Sequence, residues 1–166
     1  MGMSPVQELF SEYVPKCLRR AEVFDPEISA YVIDLAARFI HSDAQHTEIG
    51  GHTIEDLAIM VQDSDPVFGQ ASTFEEERRV RQHIGDSALF LAGLLPGTDR
   101  ARLRLKREVH TMPDLVRVGK ESYYVVSQFD VFEYRSQARL FSKLSNKFEG
   151  CVRGLRLFGR EFNLAP

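Results

Sequence analysis

Arg79, His83, Asp86, Phe90 and Gly93 recur at intervals of four, three, four and three. On an α-helix that spacing places all five on one face. A histidine three residues before a carboxylate can serve as a general base with its orienting partner, and the arginine one turn earlier could hold an anion. The plainer alternative is a buried polar contact between His83 and Asp86 that fixes helix packing, with Gly85 and Gly93 permitting close approach. No nucleophile is legible beside the pair, so catalysis is the least supported of the three readings. Tyr123 and Tyr124 complete the candidate ligand-binding set of Arg79, His83, Asp86, Tyr123 and Tyr124. Consecutive helical residues point about 100° apart. One tyrosine ring should therefore face the core and the other a groove or the surface.

Two further clusters could do chemistry. His41, Asp43, His46, Glu48 and His52 are imidazoles and carboxylates of the kind that bind zinc or iron. Their spacing matches no compact helical ligand pair, and no Glu-x-x-His pair of a helical di-iron site occurs. A solvated loop followed by a helix cap is the simpler reading, so no metal and no cofactor is assigned. Arg100, Arg102, Arg104, Lys106 and Arg107 could contact phosphates. Aromatic residues for base stacking are not interleaved with them, and no helix-turn-helix is legible.

Charge is unevenly divided. Residues 1–77 carry a net −11 and residues 78–166 a net +8, giving −3 overall. The net charge argues against nucleic acid as the partner; mutual neutralisation of the two halves explains the asymmetry more simply. Cys17 and Cys151 show no metal-ligand or CxxC spacing, which suits two buried thiols in a reducing compartment. Neither a signal-peptide pattern nor an apolar run of the roughly 20 residues needed to span a membrane is present, so a cytoplasmic location is expected. No Walker A, dinucleotide-binding fingerprint, nucleophile elbow, zinc-finger spacing or EF-hand loop occurs.

These residues must be positioned by helices. Ser4-Pro5 signals a first start, followed by Val6, Leu9, Phe10, Tyr13 and Cys17, with Pro15 expected to kink or end the element. Asp25-Pro26-Glu27 opens a second helix with the stripe Ile28, Tyr31, Val32, Leu35, Phe39 and Ile40. Thr53 caps a short helix, Ile54 to Val61, and Asp63 to Pro66 form a turn. Thr73 with Glu76 makes a capping box for a helix running to about Leu95. Its segment Ala88 to Leu95 is apolar all round and should lie centrally. Residues 100–112 read as a loop or frayed helix; Pro113 and Asp114 open another helix through Phe129. Beyond Glu133, Tyr134, Phe141, Phe148, Leu155 and Phe162 fall seven apart, with Leu144, Cys151 and Phe158 three after their predecessors. These eight define one face across two helices or one interrupted helix, with a break expected near Gly150 or Gly154. That face could be core or contribute to a homodimer. The expectation is an all-α, single-domain bundle of five to seven helices spanning residues 1–166.

Three segments carry a family resemblance: Arg81 to Pro96 with its Gly85-Asp86-x-x-Leu89-Phe90-x-x-Gly93, Val118 to Tyr124 with Gly119-Lys120-x-Ser122-Tyr123, and Phe141-x-x-Leu144-Ser145-x-x-Phe148. In this order they resemble a group of uncharacterised bacterial all-helical proteins carrying a G-D-x-x-L-F-x-x-G motif. One departure is Leu115-Val116, where a Tyr-Tyr pair is expected. The resemblance implies a helical fold and bacterial origin, and no activity. On sequence, then, the chain is a non-enzymatic interaction or regulatory module with a protein partner, or a small-ligand-binding protein or enzyme with a pocket at Arg79, His83 and Asp86.

Overall fold

The computed structural model describes residues 5–43, 73–94 and 112–162. They form α1 (Pro5–Arg20), α2 (Pro26–Asp43), α3 (Phe74–Leu94), α4 (Met112–Ser127), a 3-10 turn (Phe132–Tyr134), α5 (Arg135–Asn146) and α6 (Phe148–Glu161). No strand occurs among the described residues, and the chain is an all-α bundle. The expected short helix at Ile54–Val61, the turn at 63–66, the histidine-rich loop beyond Asp43 and the basic run Arg100–Arg107 lie outside the described residues.

α1 starts at Pro5 but does not end at Pro15; it continues to Arg20. An internal proline costs about 3 kcal/mol. Burial of Phe10 and Val14 before it, and of Cys17 and Leu18 after it, offsets that cost by holding both sides of the proline on the core. The helix then closes through Val23 N–H to Leu18 O (2.8 Å) and Glu22 N–H to Arg19 O (2.9 Å). This is a Schellman closure, with Val23 and Leu18 buried together. Its left-handed position is filled by Glu22 at φ 65°, where glycine is the usual occupant. Three residues later Asp25 caps α2: its Oδ1 accepts from Glu27 N–H (2.8 Å) and Ile28 N–H (3.4 Å). α2 runs on to Asp43, taking His41 to Asp43 into its last turn rather than leaving them in the loop.

Thr73 Oγ1 accepts from Glu76 N–H (3.1 Å) and starts α3. Glu75, Glu76 and Glu77 in the first turn complement the helix dipole. Every residue from Ile84 to Leu94 is buried, so α3 is the central helix. α4 and α6 pack along it, with α1 against α6 and α5 against α4. The interruption between α5 and α6 falls at Lys147, not at Gly150 or Gly154. Those glycines stay helical because neighbours lie directly on them. A Cβ on Gly150 would come within 2.7 Å of Val23, and one on Gly154 within 2.7 Å of Leu18. The helix tolerates their low propensity in exchange for bringing α1 into contact.

Phe141, Leu144, Phe148, Cys151, Leu155 and Phe158 are each at most 1% exposed, and Tyr134 and Phe162 edge them. The seven-residue stripe is thus core of this chain. Lys143 Nζ, from the basic half, meets Asp25 (2.8 Å) and Glu27 (3.4 Å) of the acidic half. Part of the charge asymmetry is therefore neutralised between elements of one molecule.

Candidate functional site

The three sequence segments converge on one side chain, Tyr123. A Cβ on Gly85 would lie 2.5 Å from the Tyr123 ring, so the ring can rest on α3 only because residue 85 is glycine. That close approach carries the hydroxyl to the next residue, and Tyr123 OH donates to Asp86 Oδ1 at 2.7 Å. Phe141 and Phe148 pack on the same ring, with centroids at 5.5 and 5.7 Å. Between them Ser145 Oγ donates to Lys120 O (2.9 Å), tying α5 to α4.

A second hydroxyl reaches the same carboxylate oxygen. Tyr31 OH, from α2, donates to Asp86 Oδ1 at 2.6 Å, and Gln82 Nε2 donates to Tyr31 OH at 3.3 Å. Arg38 Nη2 stands 3.8 Å from Oδ2 while its Nε pairs with Asp34 at 2.9 Å. Asp86 therefore joins α2, α3 and α4 through two short hydrogen bonds and one longer ion pair. It is 3% exposed. Burial pushes its carboxyl up to about 6, against the opposing pull of the tyrosine hydroxyls and Arg38. Burial, and next the adjacent Asp86 charge, raise both phenols above their ordinary range, so they act as donors and not as phenolates.

The sequence-derived set is divided by this arrangement. Asp86 and Tyr123 are bonded to each other, and His83 lies half-buried one turn before Asp86. Arg79 is exposed. Tyr123 is fully buried and Tyr124 is 58% exposed, the inward and outward split expected of adjacent helical residues. Asp86 Oδ1 takes its two hydrogen bonds from tyrosine hydroxyls. Tyr31, Gln82 and Arg38 were missed as members of the cluster. Tyr31 could have been found, since a tyrosine within an apolar stripe must bury a hydroxyl and therefore needs a partner.

Chemically the cluster can hold one exchangeable proton near neutral pH and offers no activated nucleophile. Burial also raises the Cys17 thiol and pushes the Cys151 thiol up to about 12, which keeps both protonated. Among the described residues no group of three or more His, Cys, Asp or Glu side chains could hold a metal ion. No helix among them is long and apolar enough to cross a membrane.

Against protein-family models, curated proteins and solved structures, the chain finds no match. Function must therefore be argued from the molecule's own geometry.

A different part of the surface has features that packing alone does not require. Phe132 opens the 3-10 turn with φ 47°, a left-handed conformation costly for a bulky residue, and is 88% exposed. Val131 beside it is 51% exposed. The turn is fixed on α3: the Arg78 guanidinium lies 4.4 Å from the Tyr134 ring centroid and hydrogen-bonds the Gln137 side chain, and Glu75 hydrogen-bonds the Tyr134 hydroxyl. Phe74, next to Glu75, is 70% exposed at the same end of the bundle. Behind the turn, Ser127, Asp130, Arg135 and Arg139 line a polar cleft of about 700 Å³.

Proposed function

We propose that this chain is a non-enzymatic, cytoplasmic helical module that docks a protein partner at the α4–α5 turn. The observation that carries this reading is Phe132. An exposed phenylalanine adds nothing to the core, and its left-handed backbone costs about 1–3 kcal/mol. A rigidly mounted aromatic ring beside a polar cleft has the makeup of an interface anchor: apolar at the centre and polar at the rim. The charges on the cleft, Asp130, Arg135 and Arg139, are of both signs and suit a protein surface of mixed charge. Asp86 supports the same reading, because its carboxylate is occupied in tying three helices together.

A second reading rests on one specific observation. A carboxyl poised near 6, beside Arg38 and His83, could exchange its proton with a small ligand held at the Arg79, His83 and Asp86 face. Native mass spectrometry of the purified protein separates the two readings. Docking of a protein predicts the bare chain mass or its multiples, plus complexes with co-purified protein. A co-purified small molecule that disappears in Asp86→Asn, with the fold retained, would favour the ligand-binding reading and sink the first.

A further inference from the structure

α5 carries a row of cations and no acid of its own. Its residues, Arg135–Asn146, include no Asp or Glu, and Arg135, Arg139, Lys143 and the C-cap residue Lys147 follow one another four apart. That spacing sets them along one face, where like charges repel. Neighbouring elements relieve two of them. Asp130, before the 3-10 turn, lies 3.7 Å from Arg135 Nε. Asp25 and Glu27, at the start of α2, lie 2.8 and 3.4 Å from Lys143 Nζ. Arg139 stands between these two groups, exposed and with no carboxylate partner among the described residues. Lys147 lies outside the cleft behind Phe132, whereas Arg139 lines it.

That cleft holds charges of both signs, but they are not equally available. Its two acids, Asp130 and Glu27, already face Arg135 and Lys143. The uncommitted charge is the Arg139 guanidinium. Ser136 and Ser142, three residues to either side of it, line the same cleft and add hydroxyl donors. On the α4 wall, Ser127 Oγ donates to Tyr124 O (2.6 Å) and accepts from Gln128 Nε2 (3.2 Å), so that wall brings no competing charge. Asp130 and Arg135 flank the turn that displays Phe132, so a segment covering that ring lies at the mouth of the cleft. Glu133, on the turn itself, does not line it.

We infer that the segment docking at Phe132 is acidic, one of its Asp or Glu side chains entering the cleft to form a bidentate pair with Arg139. This rests on docking at Phe132 as proposed above, and it names what the partner must bring. A carboxylate suits the site better than a phosphorylated residue. The guanidinium fork matches the two oxygens and single charge of a carboxylate. A phosphoryl group brings a charge of about −1.5 to −2, and it would meet Asp130 and Glu27 with one free cation to balance it.

Selection of a phage-displayed library of random peptides on the purified protein tests this, with circular dichroism confirming the fold of each variant. Wild type should enrich peptides that carry an Asp or Glu at a fixed spacing from an apolar residue, and Phe132→Gly should lose that enrichment. Arg139→Glu should bind the best synthetic peptide at least about tenfold more weakly. The same peptide with Lys in place of its acid should recover the loss, a reversal that damage to the fold would not produce. Peptides that need Phe132 but carry no acid, or that bind Arg139→Glu as well as wild type, would overturn this inference and leave docking at Phe132 standing. Tighter binding when phosphoserine replaces the acid would overturn the carboxylate assignment. No enrichment by wild type would overturn docking and this inference together.

Discussion

Replacing Asp86 with asparagine should leave the protein folded and make it more stable at neutral pH. In the folded chain the Asp86 carboxyl is pushed up to about 6 from its ordinary 3.8. At about 1.4 kcal/mol for each pH unit, keeping this carboxylate ionised in the folded state costs about 3 kcal/mol. The folded chain binds this proton more tightly than the unfolded chain does. The corresponding stability is therefore complete below about pH 4 and is lost as pH rises through about 6. Asparagine keeps a carbonyl oxygen that can accept from Tyr31 and Tyr123, and it carries no charge to desolvate. It gives up the 3.8 Å pair with Arg38, which retains Asp34, and it must place an amide group near that guanidinium. The net gain at pH 7.5 should be about 1–3 kcal/mol. Urea unfolding followed by circular dichroism, run from pH 4 to pH 8 on both proteins, measures it. Asp25 and Glu149, whose carboxyls are held below their ordinary values, titrate alike in both and cancel in the difference. The advantage of Asp86→Asn should grow as pH rises through about 6. A variant at least 2 kcal/mol less stable than wild type at every pH would refute the reasoning, because the charge itself would then be holding the cluster.

Other substitutions probe the same logic. Asp86→Ala removes the shared acceptor of two buried phenol protons, Tyr31 keeping only the bond it accepts from Gln82, so it should cost about 2–4 kcal/mol in the same unfolding assay. Gly85→Ala should drive the Tyr123 ring off α3 and cost about 1–3 kcal/mol, despite alanine's better helix propensity, as read from thermal unfolding. Phe141→Ala, in the centre of the core stripe, should cost about 3–5 kcal/mol by urea unfolding. Glu22→Gly relieves the left-handed position that closes α1 and should raise stability by up to about 1 kcal/mol, seen as a higher Tm.

The elements were legible where periodicity and capping agree. Asp25-Pro26 and Thr73 marked true helix starts because their side-chain oxygens accept the first free amides. The stripe from Phe141 to Phe158 is core because its spacing keeps one face inward across two helices. Two expectations were met only in part, for a shared reason. Pro15, expected to kink or end α1, does not end it, and the break expected near Gly150 or Gly154 falls at Lys147, because tertiary contacts outweigh local propensity at those positions. At the candidate site, Asp86 and Tyr123 were placed in one candidate set, but nothing in the sequence indicated the hydrogen bond between them. That pairing depends on the crossing of α3 and α4, which Gly85 permits. Tyr31 and Arg38 come from α2, 55 and 48 positions before Asp86, a separation no local pattern encodes. Phe132 was invisible for a different reason: its significance lies in a backbone angle and an exposure, and neither can be read from residue type.

The most direct test of the account compares wild-type protein with Phe132→Gly in quantitative co-purification from the native host. Glycine at φ 47° removes backbone strain as well as the ring, so this variant should unfold no more readily than wild type. The docking account predicts a protein partner held in stoichiometric amount by wild type and reduced at least tenfold in the variant. Equal recovery from both, or recovery of no protein partner by either, would contradict it.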